Sequence, residues 1–134
     1  MSLLQSINPP HIRPPFARYA HGMTVEAGAR LLFCSGQLGI AADERIPADA
    51  AGQAQLCFAN IHAVLTAAGM TVADIVRLNA YVTAREHLPA YMQARDRFIG
   101  TDTPPASTLM IVSGFARPEF LVEVEAIAAA RGAA

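Results

Sequence analysis

At 134 residues the chain is long enough for one domain with a real core and too short for two well-formed ones. Apolar residues make up 53% and charged residues 16%, which excludes the disordered class and points either to surface buried between subunits or to a generous alanine-rich core. Net charge is −1 with no basic stripe, which argues against nucleic acid as a partner; all ten basic residues are arginine, so a lysine Schiff base and ordinary pyridoxal chemistry are excluded.

Residues 1–15 read as an extended N-terminal arm, because Pro9, Pro10, Pro14 and Pro15 remove backbone donors and favour an irregular path. The arm starts with polar Gln5, Ser6 and Asn8 rather than a basic, then apolar leader, so no membrane partner is expected and the cytoplasm is the expected location. Residues 16–134 read as a single domain. Between Phe16 and Gln37, short apolar stretches broken by Gly22 and Gly28 suggest three short antiparallel strands, the last running through Arg30-Leu31-Leu32-Phe33-Cys34 to Ser35-Gly36.

From Asp49 to Ala68 the positions Ala54, Cys57, Ile61, Val64, Leu65 and Ala68 follow helical spacing, and Gly69 supplies a left-handed stop. Asp74 to Thr83 alternates, with Val76, Leu78, Ala80 and Val82 on one face and Arg77, Asn79, Tyr81 and Thr83 on the other, as in a half-exposed strand. Glu86 to Ile99 reads as a second helix with Pro89 in its first turn and Gly100 at its end. Two more strands follow, Thr108 to Ser113 and Leu121 to Ala129. The order βββαβαββ predicts an α+β domain, one mixed sheet with both helices on one face; the uncovered face predicts a closed homo-oligomer.

Motifs for phosphate loops, dinucleotide binding, zinc helices and nucleophile elbows are absent, and no cofactor is expected. His11, His21, His62 and His87 are scattered, so no metal site is assigned; Cys34 and Cys57 lie far apart in apolar surroundings and read as buried, reduced thiols. Glu123 and Glu125, two apart on a strand, share a face and form either a pair acting on one bound water or an ordinary solvated strand face.

Four segments in order and spacing carry a family resemblance: Tyr19-Ala20-His21-Gly22; Leu32-Phe33-Cys34-Ser35-Gly36-Gln37; Ala67-Ala68-Gly69 with Asp74-Ile75-Val76; and Leu121-Val122-Glu123-Val124-Glu125-Ala126-Ile127-Ala128. Together they resemble the YjgF/RidA family over all but the first dozen or so residues. The resemblance implies a chorismate-mutase-like fold, a homotrimer with small-molecule sites in clefts between subunits, and cofactor-free hydrolysis of 2-imino and 2-amino-enoic acids to keto acids and ammonia. Older labels for such proteins include endoribonuclease and translation inhibitor. It implies a cleft tyrosine at Tyr19, a substrate-orienting serine at Ser35, and a water-holding, catalytic glutamate at Glu123.

One stretch departs from the pattern. Deaminating members carry Pro-Ala-Arg-Ser at the start of the fifth strand, where this chain has Pro104-Pro105-Ala106-Ser107-Thr108, so Ala106 stands at the arginine that grips the substrate carboxylate. Met92 stands where these members often have a polar asparagine. The substrate-binding set implied is thus Tyr19, Ser35, Met92, Ala106, Thr108 and, as either a replacement cation or a solvated loop residue, Arg117. Two functions remain in play: a hydrolytic deaminase for a substrate other than the usual 2-imino acids, and a trimer that binds a small metabolite without turning it over. A ribonuclease is the weaker reading, for want of a basic groove.

Overall fold

A computed structural model of the chain describes residues 3–100 and 102–132. Six strands and two α-helices follow the expected order: β1 (Leu4–Ile7), β2 (Gly22–Val25), β3 (Arg30–Leu38), α1 (Ala50–Ala67), β4 (Ile75–Val82), α2 (Leu88–Ile99), β5 (Ala106–Ile111) and β6 (Val122–Ala130). The main sheet has four strands in the order β3-β6-β4-β5. It is mixed: β6 runs antiparallel to β3 and β4, whereas β4 and β5 are parallel. Parallel β4 and β5 require a crossover, and α2 supplies it.

The expected three strands between Phe16 and Gln37 are two, and the first strand lies further upstream, in the arm. Leu4 to Ile7 alternates ahead of the prolines and pairs antiparallel with β2, Leu4 opposite Val25, as a separate two-stranded hairpin. Residues 16–19 turn instead of extending, because the Tyr19 backbone N–H donates to Ala17 and its hydroxyl accepts from the Phe16 N–H.

Helix α1 begins where the Asp49 carboxylate accepts from the Gly52 N–H at 2.8 Å, satisfying one of the helix's orphan donors. It ends before Gly69, whose φ of 71° suits a residue without a Cβ. Pro89 occupies the first turn of α2, and Gly100 closes it with the same φ. Both helices pack on one face of the sheet. Ile61 and Leu65 of α1, Tyr91 of α2, and Leu78, Val82, Val122 and Val124 of the sheet are all almost completely buried in one cluster, and Phe58 stacks on Phe98 and Tyr91. Truncating one such residue, Leu78→Ala for instance, would cost about 2–5 kcal/mol.

On β4 the core positions are Ile75, Leu78, Ala80 and Val82, not Val76 as alternation alone predicts. The pairing with β6 shifts between Ile75 and Arg77, so Val76 is displaced and Ile75 takes the core position. Among the described residues, the opposite face of the sheet has no helix. Among its exposed residues, the two edge strands carry Leu31 and Phe33 on β3, 52% and 71% exposed, and Met110 on β5, 53% exposed. No helix among the described residues is long and apolar enough to cross a membrane.

Candidate functional site

The helix-free face is where β6 and β4 present polar side chains. Period-two alternation sends Val122, Val124 and Ala126 into the core and leaves Glu123 and Glu125 on the opposite face. Glu123 lies in register with Tyr81 and Glu125 with Asn79, on the neighbouring strand.

The two carboxylates differ in their bonding. Glu125 Oε1 accepts from the Tyr81 hydroxyl at 2.5 Å and from Asn79 Nδ2 at 3.4 Å. Glu123 has no hydrogen-bond donor among the described residues. Its carboxyl is raised above the ordinary range, first by burial and second by the charge of Glu125. Tyr81 is also raised, chiefly by its hydrogen bond to Glu125, so the phenol remains a donor. Glu125 is thus tied up as an acceptor, while Glu123 keeps its lone pairs for a water or substrate proton.

Gly36 makes room for that carboxylate. The β3–β6 register shifts between Cys34 and Gln37, and in this irregular stretch a Cβ on Gly36 would sit 2.7 Å from Glu123 Cδ and 2.9 Å from Oε1. Further along, Gln53 of α1 fixes the entry to β6. Its side chain donates to the Pro47 and Glu119 carbonyls and accepts from the Leu121 N–H, two residues before Glu123. Ser35, exposed at the same irregular stretch of β3, lines a cleft of about 250 Å³ with Phe33, Asn79, Glu125 and Ile127.

Tyr19 lies beyond the β5 edge of the sheet. The Ala20 N–H donates to Pro105 at 2.9 Å, and Ala20 bridges Ala106 in parallel, so this loop runs along the β5 edge. Ala106 is buried on β5, and its Cα partner on β4 is Arg77. Two positions along, Thr108 Oγ1 accepts from Arg77 Nη2 at 2.6 Å, while Arg77 Nε donates to Asn79 Oδ1 at 2.7 Å. Ser35 on β3 and Tyr19 in the loop outside β5 therefore lie at opposite edges, about four strand spacings or roughly 19 Å apart across the sheet.

Two of the sequence-derived positions do not join this face. Met92 packs partly buried against the core on the helix side of the sheet. Arg117 lies half-exposed, paired with Glu119 at 3.3 Å and over the Phe120 ring. The residues that sequence reading left out of the site are Arg77, Asn79 and Tyr81. Their alternation was visible, but their apposition to Glu123 and Glu125 depends on the pairing of β4 with β6. Cys57 is inert within the core, its thiol pushed up to about 12 mainly by burial.

The fold and this face define an α+β protein with a carboxylate pair on an interior strand of the helix-free sheet face, and with Ser35 and Tyr19 at its two edges. Comparison with known sequences gives the family: the profile described as Endoribonuclease L-PSP matches residues 11–130, and the chain belongs to that family, the YjgF/RidA proteins. TdcF of Escherichia coli, provisionally named a reactive intermediate deaminase, is 29% identical over 87% of this chain and 91% of its own length. A 2-iminobutanoate/2-iminopropanoate deaminase of Dermatophagoides farinae is 26% identical over 81% of this chain and 84% of its own. Among solved structures, the Rid family protein YyfB of Yersinia pestis, described as of unknown function, superposes with a TM-score of 0.83. It is 34% identical and covers 95% of this chain and 98% of its own.

Proposed function

We propose that the protein is a cofactor-independent hydrolytic deaminase of reactive imines or enamines, acting in the cytoplasm on a substrate other than the usual small 2-imino acids. The observation that carries this reading is the contrast between Glu123 and Glu125. One carboxylate is held by Tyr81 and Asn79, and the other is partly desolvated, raised in pKa and free to accept a proton from water attacking an imine carbon. Ala106 is the reason for the altered substrate, since a methyl group offers neither charge nor donor to a carboxylate. The names of the deaminase relatives agree with the reaction class.

The site is proposed to be shared between copies of a homotrimer. Three sheets turned face inward would bring the β3 edge of one copy, with Ser35 and Glu123 near it, against the β5 edge of the next, with Tyr19, Ala106 and Thr108. The exposed Leu31, Phe33 and Met110 on those edge strands would be buried by the same contact.

The test generates imines in situ and follows their decay. A panel of imines should include one consumed by the wild-type protein and not by Glu123→Gln, while 2-aminoacrylate decays at close to its background rate. Light scattering should give a trimer mass. Turnover that survives Glu123→Gln, or 2-aminoacrylate hydrolysis as fast as an arginine-containing relative, would sink the respective half of the proposal, and a monomer would remove the shared site. Absence of turnover with retained ligand binding would favour the non-catalytic metabolite-binding reading.

A further inference from the structure

We propose that the substrate is an uncharged imine with an aromatic ring attached, and that Phe33 of one copy and Phe16 of the next hold this ring between them. The inference deepens the functional reading above and rests on its shared trimeric site; what it adds is the substrate class.

Exposure comes first. Phe16 at 80% and Phe33 at 71% are the two most exposed large apolar side chains among the described residues. Single exposed apolar residues are ordinary, but Phe16 is held in place. Its backbone N–H donates to the Tyr19 hydroxyl at 3.2 Å, and the Arg13 guanidinium lies 3.7 Å over one face of its ring. Arg13 is fastened in turn, with its carbonyl 2.6 Å from a ring nitrogen of His21. One face of Phe16 is therefore covered by a cation, and the other is presented outward.

Register is the second observation. Phe33 is the Cα partner of Ile127, Ile127 of Arg77, Arg77 of Ala106, and Ala106 of Ala20. One transverse row of the sheet thus begins at Phe33 on the β3 edge and ends in the loop outside β5, where residues 16–19 turn just ahead of Ala20. Rotation about a threefold axis along the strands carries a residue around the axis and not along it. The two ends of this row therefore meet where the β5 edge of one copy reaches the β3 edge of the next.

The third is the character of the cleft. Phe33 forms one wall of the 250 Å³ cleft that holds Ser35, Asn79 and Glu125, and no cation lines it. From Phe33 to Gly36, against which the Glu123 carboxylate lies, is three residues, or about 10 Å on an extended strand. A ring lying against Phe33 and conjugated to an imine sends the imine carbon along β3 toward Glu123. Aromatic pairs favour offset or edge contacts over looser packing, so a second ring arriving from the neighbouring copy closes the other side. A flat, neutral body accounts at once for the two presented rings and for alanine at position 106.

The experiment titrates acetophenone, its saturated counterpart cyclohexyl methyl ketone, and benzoate into the intact protein, followed by NMR. Acetophenone should bind at least fivefold more tightly than the saturated ketone and no less tightly than benzoate. Phe16→Leu and Phe33→Leu should each remove most of the preference for the flat ring and leave the trimer mass unchanged. Overhauser contacts should run from bound acetophenone to the rings of both Phe16 and Phe33 in the unsubstituted protein. Those rings lie at opposite edges of one chain, so a single ligand touching both must bridge two copies, and this readout stands even where Phe33→Leu fails to fold. Equal affinity for the two ketones, no binding of either, tighter binding of benzoate, or a preference that survives both variants would each overturn the proposal. So would direct contacts between the Phe16 and Phe33 rings that persist unchanged at saturating acetophenone, since the rings would then pack on each other. The outcome is separable from that of the deaminase reading, which stands or falls on loss of turnover in Glu123→Gln.

Discussion

Gly36→Ala isolates the placement of one carboxylate from the stability of the fold. The added Cβ would lie 2.7 Å from Glu123 Cδ and 3.0 Å from Cγ, where ordinary carbon contacts need about 3.5–4.0 Å, so the carboxylate must retreat by roughly 1 Å. The backbone does not resist the substitution, because Gly36 is not among the residues with positive φ. Displacing the end of a flexible side chain costs on the order of 0.5–1.5 kcal/mol, equivalent to a rotamer forced from its well. Melting should therefore change by only a few degrees. Catalysis is far less forgiving: a 1 Å misplacement of a reacting group costs on the order of a hundredfold. The variant should fold, assemble and lose about two orders of magnitude in kcat/KM for whichever imine the protein consumes. A second readout needs no substrate. The side-chain carboxyl carbon of Glu123, followed by NMR against pH, should titrate closer to the ordinary glutamate range, since the displaced group is better hydrated. Unchanged turnover together with an unchanged titration would refute the idea that Gly36 sets the position of Glu123.

Glu123→Gln should alter stability with pH in a defined sense. A carboxyl raised in the folded state binds more protons there than in the unfolded chain, so its ionisation costs stability as pH rises through that window. The glutamine variant should be more stable than wild type at neutral pH, with the advantage vanishing below about pH 4.3, the ordinary glutamate value. Urea unfolding at fixed protein concentration checks it, and a variant equally or less stable at neutral pH contradicts the assignment. Tyr91→Phe should be at least as stable as wild type, because the buried Tyr91 hydroxyl has no hydrogen-bond partner among the described residues and its removal relieves a desolvation cost of about 1 kcal/mol; a clear loss in Tm would point to a partner in the assembled protein.

The elements most legible in the sequence were those whose signals are local. Asp49 and Gly69 bound α1 from within a few residues, and the Val-Glu-Val-Glu run could only be a strand with two unlike faces. Strand β1 was hidden by the prolines that follow it, although Leu4 to Ile7 alternates and those prolines act only downstream. Ile75 and Val76 exchanged roles because a register shift is a property of two strands, and periodicity sees one. The same limit explains the site. Glu123 was identifiable, whereas its distinction from Glu125 required knowing that Tyr81 and Asn79 lie across from them. Arg77 looked like one of several solvated residues until β4 and β5 were found in parallel register, setting it beside Ala106.

The division of polar groups between the two edges of one sheet has a genetic consequence. If each working site draws Glu123 from one copy and Tyr19 with Thr108 from the next, then a chain damaged at one edge still offers a sound edge to its neighbour. Two alleles, one carrying Glu123→Gln and the other a lesion at the β5 edge, would each be inactive alone, yet in a cell expressing both some junctions would pair two intact edges. A trimer of mixed parentage around a threefold axis always contains one such junction, so partial activity would return without recombination or reversion, and a single defective allele would remove junctions only in proportion to its own abundance.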